Sequence, residues 1–358
     1  MGGHGNPQRG ATECRNSEHK PHTKNSDDNR TLRARDASPA ELVIFNKSVS
    51  YHLRPGERVP AEVKRIVREE IESAVRQLSG SGDADRDEAI HEARKNVKKI
   101  RGVLRLIRPE LGEVYGRENP FFRGVGLRLS QFRDAGAMLE TFGALRQKYR
   151  GDLGRGRLAS IRRGLTARKE QAEKQGGIEE VLHGLAGMLR RRGLRVARWP
   201  LAADGFEAIA PGLEVTFARG QKALARVRKQ PLAENYHEWR KRVKDHWYQV
   251  RLLEGVWDGT MPAYERRLKD LETWLGEDHN LVVLREKIMA EPDFYGTQPE
   301  IALFVRLVGK YHKELRGDAV ALGAHVYRVK PRQFVRRMRG MWDAGLATHQ
   351  KTAVADQS

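Results

Sequence analysis

Apolar side chains recur at intervals of three and four residues along most of the chain after Pro60. The first clear stretch, AEVKRIVREEIESAVRQL, has this spacing at Val63, Ile66, Val67, Ile71, Ala74, Val75 and Leu78. Such residues share one face of an α-helix, because a helix turns by about 100° per residue. Few stretches show the alternation of apolar and polar residues that is typical of a half-buried strand. The pattern predicts an all-α protein.

Proline and glycine divide this pattern into separate helices. A short extended lead-in should end at Pro55-Gly56, Pro60 suits the first turn of a helix, and SGSGDADRD at 79–87 predicts a loop. A connector is expected from Trp199-Pro200 to Pro211-Gly212. The other predicted breaks are at Arg108-Pro109, Asn119-Pro120, Gly151 and Gly154, Gly176-Gly177, Pro231, Pro262, Pro292 and Pro331.

Both ends of the chain are predicted to be disordered. Residues 1–40 contain no aromatic residue, valine or isoleucine, so they cannot bury enough apolar surface to offset the entropy of ordering. Three histidines in this tail, His4, His19 and His22, fit a solvated polar segment better than a metal site. We expect one folded region at 41–346 and a second disordered segment at 347–358.

The chain also repeats itself. When it is shifted by 237 − 91 = 146 residues, HEARKNVKKIRGVLRLI at 91–107 lies over HEWRKRVKDHWYQVRLL at 237–253. Eight of these seventeen positions are identical, where average composition would give about one. The same shift places Arg133-Asp134 over His279-Asn280. Two helical units, at about 57–199 and 212–344, are therefore expected to pack together, with a pseudo-two-fold axis between them.

Each copy of the repeat carries a row of basic side chains beside its apolar face. On a helix the row spans an arc of roughly 80°. Its members are His91, Arg94, Lys98, Arg101 and Arg105 in the first copy, and His237, Arg240, Lys244 and Arg251 in the second. Like charges three or four residues apart disfavour a helix by a few tenths of a kcal/mol each. The rows therefore indicate a site that an anionic ligand neutralises.

The overall charge agrees with an anionic partner. The chain has 67 Lys and Arg against 47 Asp and Glu, a formal charge of +20. Such an excess attracts nucleic acid, anionic lipid and polyphosphate alike. The single cysteine, Cys14, excludes an intrachain disulfide, and the sequence shows neither a secretion signal nor an apolar run of about 18 residues. We expect a cytoplasmic protein without a membrane span.

The histidines do not fit the usual catalytic or metal-binding motifs. His-Glu-x-x-His fails in both copies, because Lys95 and Lys241 occupy the last position. A phosphohistidine is chemically possible, but no Gly-x-x-x-x-Gly-Lys-Ser/Thr loop is present to hold a nucleotide. We therefore expect a binding protein with no catalysis, no cofactor and no metal.

The aromatic residues favour a ligand without bases. A protein that binds single-stranded nucleic acid usually provides aromatic side chains on which bases stack. In the second copy, Tyr236, Trp239 and Trp247 are expected to point toward the apolar face instead. A polyphosphate is therefore favoured, and a nucleic acid is the alternative.

The two histidine-headed segments resemble those of the CHAD (conserved histidine α-helical domain) family. IHEARKNVKKIRGVLRLI and YHEWRKRVKDHWYQVRLL match its His-x-x-Arg-x-x-x-Lys/Arg-x-x-Arg helices, and LSQFRDAGAML resembles its Leu-Gly-x-x-Arg-Asp segment. The likeness runs from YHLRPGERV to about Trp342. It implies two helical bundles related by pseudo-two-fold symmetry around a basic central channel that binds inorganic polyphosphate. It also implies association with polyphosphate granules and with polyphosphate-metabolising enzymes.

The resemblance extends the set of expected phosphate contacts. Besides the two basic rows it implicates Lys95, Lys241 and Arg133, and Lys222 and Arg226 are added as channel-lining candidates. The sequence departs from the family pattern at Ser130, where glycine is expected, and at Asn280, where aspartate is usual. His246 and Trp247 also interrupt the second basic row after Lys244. The alternatives to polyphosphate binding are nucleic-acid binding and a role as an accessory or phospho-acceptor subunit of a polyphosphate-processing enzyme.

Overall fold

The computed structural model describes Met1 and residues 51–80, 86–154, 156–174, 176–256 and 261–355. Apart from Met1, the predicted tail at 1–40 lies outside the described residues. From Tyr51 to Arg58 the chain forms the non-helical lead-in, whose Leu53 N–H donates to the carbonyl oxygen of Leu252 at 2.8 Å. Tyr51 and Leu53 are buried, so this segment is part of the core.

The described residues form thirteen α-helices and no β-strand, which confirms the predicted all-α class. The first seven are α1 (Val59–Gly80), α2 (Arg86–Leu106), α3 (Arg108–Leu111), α4 (Glu113–Gln131), α5 (Asp134–Lys148), α6 (Ala159–Glu173) and α7 (Ile178–Gly193). The others are α8 (Ala210–Lys229), α9 (Ala233–Leu253), α10 (Met261–Ala290), α11 (Pro292–Tyr295), α12 (Gln298–Val326) and α13 (Pro331–Ala355). Short 3-10 turns lie at Val196–Arg198, Gly205–Ala208 and Glu254–Val256.

One predicted break is wrong. Asn119-Pro120 does not end a helix, because Pro120 lies inside α4. A proline there removes the hydrogen bond that would reach the carbonyl of Gly116, four residues earlier. Both Pro120 and Gly116 are exposed, so that carbonyl can be hydrated. Meanwhile Phe122 and Leu129 bury the opposite face of the helix in the core.

The C-terminal boundary also differs from the prediction. Helix α13 continues to Ala355, past the expected end of the folded region at 346. The part of the predicted disordered segment from 347 to 355 is therefore helical. Residues 356–358 lie outside the described part of the chain.

The helices of the two sequence repeats pair in the same order. Helix α1 packs against α2 and α7, and α2 packs against α4. Correspondingly, α8 packs against α9 and α13, and α9 packs against α10. Helices α2 and α9, which carry the basic rows, also pack against each other. The pairing agrees with two copies of one unit, while the pseudo-two-fold axis stays a prediction.

Two apolar clusters form the core. The larger one joins helices of both repeats around α1, α2, α8 and α9, and the second one joins α5 and α6 to α10, α11 and α12. Close helix packing fixes the geometry at the centre: a Cβ atom at Gly212 of α8 would overlap the carbonyl oxygen of Leu106 in α2. No helix in the described part of the chain is both long and apolar enough to cross a membrane.

Candidate anion-binding cavity

A cavity of about 650 Å³ lies between α2, α4, α8 and α9. We call it the basic cavity. Among the described residues, ten lysines and arginines and a single carboxylate, Asp245, line it. The ten basic residues are Arg94, Lys98, Arg101, Arg105, Arg123, Arg219, Arg240, Lys241, Arg242 and Lys244. Such a concentration of positive charge suits a polyanion.

The helix period explains why the two basic rows face this cavity. On α2, Ala93, Val97 and Ile100 are buried in the core, and the row beginning at Arg94 lies beside them. On α9, Trp239 and Val243 are buried in the same way. Because α2 and α9 pack against each other, both rows border one cavity, with His237 at its edge.

Within the described part of the chain, four of the ten basic side chains form ion pairs with carboxylates and six do not. Three of the six are Arg94, Lys98 and Arg240, and the Nε atoms of these two arginines are buried without a hydrogen-bond partner. Burial, reinforced by the neighbouring Lys244, lowers the pKa of Lys98 to about 6. Burying an unpaired charge is unfavourable. An anion bound here would satisfy the donors and raise this pKa again.

Other cations of the cavity are held by carboxylates. Arg105 pairs with Asp245 at 3.0 Å, and Lys244 pairs with Glu272 at 2.6 Å. Although burial alone would raise its pKa, the ammonium groups of Lys244 and Lys269 lower the pKa of Glu272 to about 2. These pairs hold the side chains of Arg105 and Lys244 in place.

Three predicted contacts of the first repeat lie outside the lining of the basic cavity. The Arg133 guanidinium donates to Nδ1 of His91 and pairs with Glu140 at 3.2 Å. Burial, together with Arg133, lowers the pKa of His91 to about 4. Lys95 pairs with Glu92 on its own helix at 2.5 Å. The roles predicted for His91, Lys95 and Arg133 stay predictions.

The remaining predicted residues occupy two further places. Lys222 and Arg226 line a neighbouring cavity of about 370 Å³, which shares Arg219 and Arg242 with the basic cavity. Arg251 instead places its guanidinium over the rings of Trp247, at 5.1 Å, and Tyr51, at 5.9 Å. This position gives no support to its predicted role in phosphate binding. The basic row of α9 therefore ends at Lys244, where the sequence repeat also breaks down.

The structure adds lining residues that the sequence analysis did not single out. Arg219 lies three residues before Lys222 on α8, so extending that row by one turn would have found it. Arg123, Arg242 and Asn119 lie outside the two rows and carried no such signal. Asn119 accepts a hydrogen bond from Nε of Arg101 at 3.2 Å. Helix α4 therefore contributes a wall of the cavity.

Comparison with known proteins places this geometry in a family. Residues 65–288 match the family model of the CHAD domain, and this span is more than half of the chain. The chain therefore belongs to the CHAD domain family. Both basic rows lie inside the matched region.

A solved structure shares the fold. The CHAD domain from the plant Ricinus communis superposes with a TM-score of 0.52 at 17% sequence identity, over 77% of this chain and 94% of that one. No curated protein matches the sequence. Within the described residues, no group of three or more His, Cys, Asp or Glu side chains is placed to hold a metal ion.

Proposed function

We propose that this protein binds long-chain inorganic polyphosphate in the basic cavity. The observation that supports this most directly is the convergence of two repeated basic helices, α2 and α9, on one cavity with ten cationic side chains among its described lining residues. Membership of the CHAD family agrees with the polyphosphate binding that the sequence resemblance implied.

The chemistry of the unpaired cations suits phosphate. Guanidinium groups grip phosphate oxygens through two parallel hydrogen bonds, and an ammonium group adds a point charge. Arg94 and Arg240 come from different repeats and both have a buried Nε without a partner in the described structure. A phosphate chain between α2 and α9 would satisfy both donors and favour the protonated form of Lys98.

The aromatic residues around the cavity support a ligand without bases. Tyr236, Trp239 and Trp247 are buried in the core, at 5%, 0% and 9% exposure. Two other tyrosines do line the cavity, but Tyr248 is buried and the guanidinium of Arg108 lies 4.9 Å over the ring of Tyr115. Little ring surface is left on which bases would stack.

The proposed role is binding without catalysis, in the cytoplasm and at polyphosphate granules, with polyphosphate-metabolising enzymes as partners. Two other functions are alternatives, and each would give a different experimental result. Phosphohistidine at His91 or His237 would favour a phospho-acceptor subunit. Strong binding of RNA or DNA in the same cavity would favour a nucleic-acid-binding protein.

A competition experiment separates polyphosphate from nucleic acid. Labelled long-chain polyphosphate is bound first and is then challenged with RNA, DNA and tripolyphosphate at equal phosphate concentration. We expect unlabelled long-chain polyphosphate to displace the label, and RNA and DNA to be much weaker competitors, because the cavity offers cations and few stacking surfaces. Displacement by RNA at the same phosphate concentration as by polyphosphate would contradict the proposal.

A further inference from the structure

A histidine that lines the basic cavity, His237, contacts the ring of a second histidine, His279. The rings of His237 on α9 and His279 on α10 are 4.1 Å apart between centroids and are inclined by 36°. His237 lines the basic cavity, and its Nδ1 atom is buried without a hydrogen-bond partner in the described structure. Sequence analysis named His237 as a phosphate contact but assigned no role to His279.

The internal repeat shows what is unusual about this pair. The shift of 279 − 133 = 146 residues makes His279 the counterpart of Arg133, just as His237 is the counterpart of His91. In the first repeat the Arg133 guanidinium donates to Nδ1 of His91. In the second repeat the ring of His279 lies tilted against His237, and in the described structure Nδ1 of His237 has no hydrogen-bond partner. A permanent cation in one half is thus replaced by a titratable group in the other.

The surroundings of the pair are mostly cationic. The charged groups that interact electrostatically with the two rings are Arg240, Lys241 and Glu238 on α9 and Asp278, next to His279, on α10. Asp278 is itself occupied by two side chains of α12, His312 and Arg316, each at 2.6 Å. On the other packed helices, α2 brings Arg94 near Arg240, and α5 places Asp134 near Arg94.

These surroundings favour the neutral form of both rings. Burial, reinforced by Arg240 and His237, lowers the pKa of His279 to about 4. Burial, together with Lys241 and Arg240, also lowers the pKa of His237. A phosphate nearby has the opposite effect, because it stabilises the imidazolium form.

We propose that His279, acting with His237, is a proton-dependent phosphate-binding element of the second repeat. In this proposal, which rests on the proposed function, a protonated histidine pair donates hydrogen bonds to a phosphate at the edge of the cavity. When the pair is neutral, this phosphate is held by the neighbouring cations alone. The two halves of the site then differ in how their charge depends on pH, because Arg133 in the first half is permanently charged and His279 in the second half is titratable.

The sign of the pH dependence follows from linkage. The pKa of a histidine in the complex is higher than in the empty site, so binding takes up a proton between these two values. Affinity therefore rises as the pH falls through this range, by at most about tenfold per pH unit for each proton taken up. Protonation of Lys98 also makes the affinity rise as the pH falls. The contribution of the histidines to the pH dependence must therefore be isolated by substitution.

The test compares the affinity for long-chain polyphosphate from pH 5 to pH 8, at constant ionic strength, in the natural chain, His279→Arg and His279→Gln. Lys98 is present in all three, so any difference in slope belongs to the histidine pair. We expect both variants to have a flatter pH profile than the natural chain. His279→Arg should bind more tightly at pH 8, and His279→Gln should bind more weakly at pH 5. The reciprocal control, Arg133→His, should make the profile steeper.

Circular dichroism checks that each variant is folded. If His279→Arg does not fold, the comparison of pH profiles uses His279→Gln alone. The natural chain and a folded variant at position 279 could both bind polyphosphate and show the same slope of log affinity against pH. That result would overturn the histidine proposal and leave the proposed function intact. No binding by the natural chain at any pH would overturn the proposed function and this proposal with it.

Discussion

Charge reversal at Arg94 and Arg240 together, as Arg94→Glu with Arg240→Glu, should reduce polyphosphate affinity by at least about a thousandfold, or roughly 4 kcal/mol. A hydrogen bond to a charged group contributes about 1.5–3 kcal/mol, and each glutamate adds repulsion to the lost bonds. Neither arginine forms an ion pair in the described structure, and the Nε atom of each is buried without a hydrogen-bond partner. Helical content should therefore be unchanged, and titration of labelled polyphosphate measures the loss.

The matched control reverses two exposed arginines on α7, as Arg190→Glu with Arg191→Glu. It changes the net charge by the same amount but leaves the basic cavity intact. We expect it to lower affinity by only a few fold, through the weaker long-range field. An equal loss in both double variants would show that overall charge, and not the basic cavity, controls binding.

Salt should weaken binding steeply. If about six to ten phosphates are neutralised, the plot of log affinity against log salt has a slope of roughly −4 to −7, by analogy with single-stranded nucleic acids. Raising salt from about 50 to about 200 mM should then lower the affinity by about three orders of magnitude. Affinities measured at several salt concentrations at one pH give the slope directly.

The variants make this measurement specific to the basic cavity. Residual binding by the Arg94→Glu and Arg240→Glu double variant should show a shallower slope, because fewer phosphates are neutralised. The α7 control should keep the slope of the natural chain. A slope near zero in the natural chain would mean that phosphate neutralisation does not drive binding.

The all-α class, which depends on local sequence, was predicted correctly. Helix class follows from the spacing of apolar residues, and the register of the repeat placed Arg94 and Arg240 at equivalent positions of two helices. The packing of α2 against α9 then puts both at one cavity. Helical period and repeat offset can both be read from the chain without knowledge of its tertiary contacts.

The features that depend on contacts between distant segments were not predicted. Glu272, which pairs with Lys244, follows it by 28 residues and lies on the next helix. The sequence around Lys244 does not indicate this partner. Arg251 has the spacing of the basic row, but its guanidinium is drawn onto the rings of Trp247 and Tyr51. Pro120 is tolerated because it falls on the exposed face of α4, which only the packing of that helix reveals.

The contrast between paired and unpaired cations explains how the site is organised. Carboxylates hold Arg105 and Lys244, so these side chains are positioned before any ligand arrives. Arg94, Lys98 and Arg240 have no such partner among the described residues, and the pKa of Lys98 is lowered by burial and by its cationic neighbours. The folded protein thus keeps an unfavourable concentration of basic groups, which a bound polyanion would relieve.

A crystal structure of the complex with polyphosphate tests the central claim most directly. We expect a single phosphate chain between α2 and α9, with phosphate oxygens within hydrogen-bond distance of both Arg94 and Arg240. A chain bound to the exposed arginines of α7, with the space between α2 and α9 free of phosphate, would contradict it.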